Sequence, residues 1–187
     1  LTLHDAKGRE ITENDDSMDP SEGLLTHHAD SRLEHTAPAP GDYILRLRDV
    51  QGQGGEACAY RLRIGRPRPG FALLATPDNP RLARGDSTAL TVHAIRRDGF
   101  AGPILLSVGS LPGGFAVSEA LIPPGQDHAR LTITAPPGAP ATTFSLAVAG
   151  RAAIDQGEVF REALPAEEIM QAFSSRHRIP TREMLMA

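Results

Sequence analysis

Tyr43-Ile44-Leu45-Arg46-Leu47-Arg48 and, after a glycine-rich break, Tyr60-Arg61-Leu62-Arg63-Ile64 set the class of this protein. Apolar residues recur at every second position, with arginine between them everywhere except at Ile44. Side chains alternate across an extended backbone, so Tyr43, Leu45 and Leu47 share one face while Arg46 and Arg48 share the other. Tyr60, Leu62 and Ile64 repeat the scheme against Arg61 and Arg63. The segment 51–55, Gln-Gly-Gln-Gly-Gly, predicts a hairpin loop that pairs the two runs as antiparallel strands. Both tyrosine rings are then expected to pack into a core with their hydroxyls satisfied at its edge.

Downstream, Gly65-Arg66-Pro67-Arg68-Pro69-Gly70 breaks the alternation and predicts a stiff extended linker, dividing the chain into 1–66 and 67–187. Strand patterns then resume at 71–75, Leu90-Val92-Ala94, Ile104-Leu106-Val108, Leu131-Ile133 and Phe144-Leu146-Val148. Turns at Asp98-Gly99, 112–114, 123–125 and 136–138 separate them. Short strands at this spacing predict β-sandwiches. The 18 glycines and 16 prolines in 187 residues fit a turn-rich fold of this kind. The C-terminal region reads differently. Pro165-Ala166-Glu167-Glu168 opens like a helix, with proline near N1, acidic residues in the first turn, and Ile169, Met170 and Phe173 on one face. The expected architecture is all-β: two tandem sandwiches, jelly-roll-like and then immunoglobulin-like, with one short helix near the C-terminus and a final strand at 184–186.

A net charge of −4 gives no reason to expect nucleic acid or an anionic membrane as partner. No apolar run reaches the ~18 residues of a spanning helix, so this segment is not expected to insert into a membrane. All but one of the 19 basic residues are arginine, scattered along the chain, which fits a GC-rich genome better than phosphate recognition. Cys58 is alone and lies between Ala57 and Ala59, so it reads as a small buried apolar residue. The chain begins at Leu1 with neither methionine nor a signal peptide, which suggests an excerpt or a processed piece.

Three fragments carry a resemblance: Leu1-Thr2-Leu3-His4-Asp5-Ala6-Lys7-Gly8, Asn14-Asp15-Asp16, and Gly41-Asp42-Tyr43 leading into Leu45-Arg46-Leu47. In that order they resemble the later part of the bacterial pre-peptidase C-terminal domain, a non-catalytic sandwich appended to secreted enzymes. The early strands of that family, with their Asp-x-Asp-Phe-like signature, have no counterpart here. Arg84-Gly85-Asp86-Ser87, Gly99-Phe100-Ala101-Gly102 and Leu111-Pro112-Gly113 are similar to bacterial immunoglobulin-like repeats. The resemblance implies accessory modules of a larger protein that is secreted, periplasmic or on the cell surface, and in such modules catalysis is absent. The implied partners are neighbouring domains of the same polypeptide, with extracellular glycan or protein as an alternative.

Candidate sites are few. The stretch 13–22, Glu-Asn-Asp-Asp-Ser-Met-Asp-Pro-Ser-Glu, has no basic residue, and calcium prefers several carboxylate and carbonyl oxygens. Asp15, Asp16, Asp19 and Asp30 are the calcium candidates, with Asn14 as helper; some relatives of the resembled module bind calcium. Against them stands a solvated acidic turn, since the spacing is not that of an EF-hand. His4, His27, His28 and His35 crowd the same region, but adjacent His27 and His28 would point to opposite faces of a strand, and no cysteine ligand accompanies them.

Two further patterns invite a functional reading and fail it. Gly85-Asp86-Ser87 looks like an esterase nucleophile block, yet the Asp-x-x-His needed to activate the serine does not follow. Asp127 and His128 are adjacent, and His177 follows Ser174-Ser175-Arg176. Arg84-Gly85-Asp86 also spells an integrin-recognition tripeptide, which chance explains in a chain rich in arginine and glycine. With no tryptophan and 4% aromatic residues, a stacking sugar platform is not expected.

Overall fold

The structure, a computed structural model, describes residues 1–16, 31–170 and 176–187. Strands make up its regular elements, and there is no helix among the described residues. The chain divides into two compact units, Leu1–Gly65 and Arg66–Ala187.

The first unit holds one three-stranded antiparallel sheet: β1 (Thr2–Asp5), β2 (Glu10–Glu13) and β3 (Tyr43–Arg46), with β1 in the middle. The β1–β2 turn forms because the Asp5 carboxylate accepts from the Lys7 and Arg9 amides, each at 2.9 Å, while Gly8 takes a φ of 79°. Leu3 then stands opposite both Thr12 and Leu45.

The expected hairpin between 43–48 and 60–64 does not form. β3 pairs with β1, and residues 47–65 contain no strand. Alternation favours a strand where one face can be buried, and here Tyr60 and Ile64 are 74% and 78% exposed. Tyr60 is therefore not a core residue. Tyr43 is half-buried, and its hydroxyl donates to the Ala39 carbonyl at 3.0 Å. Cys58, expected inside, is exposed, because the segment around it has no sheet to pack on.

The second unit contains β4 (Gly70–Thr76), β5 (Ser87–Arg97), β6 (Ile104–Val108), β7 (Ala116–Val117), β8 (Ala120–Ile122), β9 (His128–Thr134), β10 (Phe144–Ser145), β11 (Val148–Ile154), β12 (Gly157–Met170), β13 (Arg176–Pro180) and β14 (Leu185–Met186). Hydrogen bonding runs in one path, β7-β9-β5-β4-β12-β11-β6-β8, with β13 attached to β12. That path curls into a sandwich-like body. Inward positions of β4, β5 and β9 supply Leu73, Leu90, Val92, Leu131 and Ile133, which meet Ile104, Ile122 and Val148 in one core. Gly150 keeps a close approach open: an added Cβ would lie 2.7 Å from Leu73 and 2.8 Å from Ile104.

At one margin β12 belongs to both sheets. Residues 157–162 pair antiparallel with β11, and Ala163–Pro165 pair parallel with Leu73–Ala75 of β4. At the other margin the short strands β7 and β8, separated only by Ser118 and Glu119, end the two sheets. Met184, and Met186 within the β10–β14 pair, are buried in the core.

The expected helix at 165–173 is instead the second half of β12, and Phe173 lies outside the described residues. The backbone bonds of Ala163–Met170 go to β4 and β13, which a helix would have to give up. The proposed helical face is also not the buried one. Met170 is 68% exposed, whereas Ala166 is fully buried against Leu74 and Ile95.

Candidate functional site

The outer face of β4–β5–β9 carries a polar cluster in the second unit. Alternation puts Leu90, Val92 and Ala94 inside, so His93 must point outward. Register then lines up Leu74, His93 and His128 across the three strands. Ala166 of β12 packs on this face against Leu74 and Ile95, and His93 and Thr76 beside them are only 7% and 6% exposed. His93 Nε2 lies 3.3 Å from the Thr76 hydroxyl, and its ring centroid is 6.0 Å from that of His128. His128 Nδ1 lies 2.6 Å from the Asp127 carboxylate, and Arg178 on β13 pairs with Glu168 on β12 at 3.7 Å.

Electrostatics follow from this packing. Burial pushes His93 down to about 4, and the nearby charges of Arg178 and His128 push in the same direction. At neutral pH the imidazole is uncharged. The His128 hydrogen bond is the main cause holding Asp127 below the usual carboxylate range, with Arg178 adding a smaller pull. A neutral imidazole beside a hydroxyl has the chemistry of a base and a nucleophile. Here both are buried. What the arrangement can do as it stands is take up or refuse a proton.

The calcium candidates lie in the first unit. Asp19 and Asp30 fall outside the described residues, as do His27 and His28. The Asn14 amide donates to the Asp16 carbonyl at 2.8 Å, and its oxygen accepts from the Arg32 amide at 2.8 Å. Ser31 donates to the Asp15 carbonyl at 2.9 Å. Asn14 thus ties 14–16 to 31–32. The Asp15 carboxylate is exposed beside an open depression of about 630 Å³, bounded also by Glu13, Arg48 and Asp49. Asp49 holds its own turn, accepting from the amides of Gln51 and Gln53. Among the described residues no three His, Cys, Asp or Glu side chains converge as a metal-holding group. His4 is buried, with Nδ1 3.2 Å from the Gly8 carbonyl, and His35 lies against the Tyr43 ring.

The serine pattern is turn chemistry. Gly85 has a φ of 73°, Asp86 accepts from the Ser87 amide at 2.7 Å, and Ser87 meets the Thr134 hydroxyl at 2.8 Å. Arg84 is exposed at the same tight turn. Thr76, His93 and Arg178 escaped sequence reasoning. His93 was legible as the outward position between Val92 and Ala94, whereas Thr76 lies one residue beyond the strand expected at 71–75. Arg178 was not, because its hairpin partner reads as a helix.

Compared with family models and with curated proteins, the chain matches none.

Proposed function

We propose that this chain supplies non-catalytic accessory and spacer modules to a larger bacterial protein that is secreted, periplasmic or on the cell surface. The first unit is then pre-peptidase C-terminal-like and the second immunoglobulin-like. The observation that carries the reading is the treatment of the sandwich margins. β12 passes through both sheets at one side, and β7 and β8 end them with strands of two and three residues at the other. Open, long edges invite pairing with other chains, and short or shared margins suppress it. A module strung beside others in one polypeptide benefits from that protection.

The purified chain should show no turnover above a buffer blank on chromogenic ester, peptide and glycoside substrates. Turnover that disappears in His93→Ala would overturn the reading in favour of a hydrolase.

A second reading is a calcium-assisted binding module for extracellular polysaccharide or protein, favoured by the exposed Asp15 carboxylate beside the depression in the first unit. Asp15, Asp16, Asp19 and Asp30 would supply the oxygens. Calcium bound only to the native state raises the melting temperature with free metal concentration. An unchanged melting curve at millimolar calcium removes this alternative.

A further inference from the structure

We propose that the His93–His128–Arg178 cluster is an acid-sensitive latch, which keeps the β12–β13 hairpin on the outer face of β4–β5–β9 at neutral pH and releases it in acid. The inference goes beyond a spacer role, because it gives the module a surface that depends on its surroundings.

Geometry carries it. Groups from the neighbouring strands surround His93: Thr76 and Leu74 from β4, His128 with the preceding Asp127 from β9, and Arg178 of β13, whose charge acts on the ring and which pairs with Glu168 of β12. Arg130 stands one row away, opposite Thr91, and on β5 itself Arg97 lies beyond Ile95. While His93 is neutral, Glu168 offsets Arg178 and Asp127 holds the His128 ring. Protonating His93 adds a cation to a buried site beside the Arg178 guanidinium, whose charge opposes it.

The weakest-held neighbour should yield first. β4, β5 and β9 are bonded on both sides within the sheet, whereas β13 pairs only with β12. Moving the hairpin away rehydrates His93 and separates it from Arg178. It also uncovers Leu74 and Ile95, which are 3% and 7% exposed under Ala166. Acid would therefore expose an apolar strip that is hidden at neutral pH.

The test is amide hydrogen exchange on the full chain from pH 7 to pH 4.5, corrected for intrinsic rates. The latch predicts that protection of Arg178 and Ile179 falls by up to about 50-fold, while β5 and β9 core amides stay protected. In His93→Phe, which cannot titrate, the fall should disappear; His128→Gln should reduce it only in part. Should His93→Phe fail to fold, binding of an apolar dye to the wild-type chain over the same range is the second measurement, expected to rise before any loss of strand signal. Uniform loss of protection across all strands, unchanged β13 protection down to pH 4.5, or an identical response in His93→Phe each overturns the proposal.

Discussion

Arg96 donates through Nη1 to the Gly102 carbonyl at 2.6 Å, and through Nη2 and Nε to the carbonyls of Pro123 and Gln126 at 2.9 Å each. Its guanidinium carbon also lies 5.2 Å from the Phe100 ring centroid. One planar fork therefore joins two loops at one end of the sandwich. A lysine cannot reproduce that fork, so Arg96→Lys should lower stability by roughly 1–3 kcal/mol in urea unfolding. Gly150→Ala tests the opposite property, a place where nothing fits. With Leu73 and Ile104 both under 3 Å from the new methyl, overpacking should cost about 1–3 kcal/mol. For His93 the folded imidazole resists protonation until about pH 4, whereas the unfolded one takes its proton near 6.5. Its contribution to stability is complete above pH 6.5 and is lost as pH falls from 6.5 toward 4. Denaturant titrations across that window should show a loss on the order of 2 kcal/mol, discounted for residual solvent contact, and a flatter profile in His93→Phe.

Among the elements, strands with clean alternation were legible from their residues. β5, β6 and β9 each place apolar residues at inward positions because a complete core waits on that side, whereas the run expected as one strand at 144–148 is divided between β10 and β11. Where the core is missing, the same alternation misleads. Tyr60–Ile64 has the pattern of a strand but no sheet beside it, so the side chains stay in solvent. β12 misleads in the other direction. Pro165, Glu167 and Glu168 are good helix openers locally, yet pairing with β4 and β13 satisfies more backbone groups than a two-turn helix would. The polar cluster was half legible: alternation marks the outward positions, but only the fold brings Thr76 and Arg178 to His93. Substituting Ala166 by aspartate places a charge between Leu74 and Ile95 and should detach the hairpin. Limited proteolysis within 166–180 should then quicken at least several-fold while the β4–β5–β9 strands resist cleavage.

For the whole chain, order of assembly follows from sequence separation. Leu73 and Ala163 are neighbours across β4 and β12, so the second unit cannot complete its sheet until distant segments meet. Stopped-flow refolding should accordingly fall on the order of milliseconds to seconds, slower than for helical bundles of similar size. The two units also differ in how much core they hold. Among the described residues the largest fully buried side chains all belong to 66–187, and the first unit offers mainly Thr2 and His4 at its sheet centre. The parallel contact of β4 with β12 has a mechanical consequence. β4 opens the second unit and β12 comes late in it, so tension applied along the polypeptide drags the two in opposite senses along their common axis once the terminal strands have peeled away. Their rungs are then loaded together in shear and cannot open one after another like a zip.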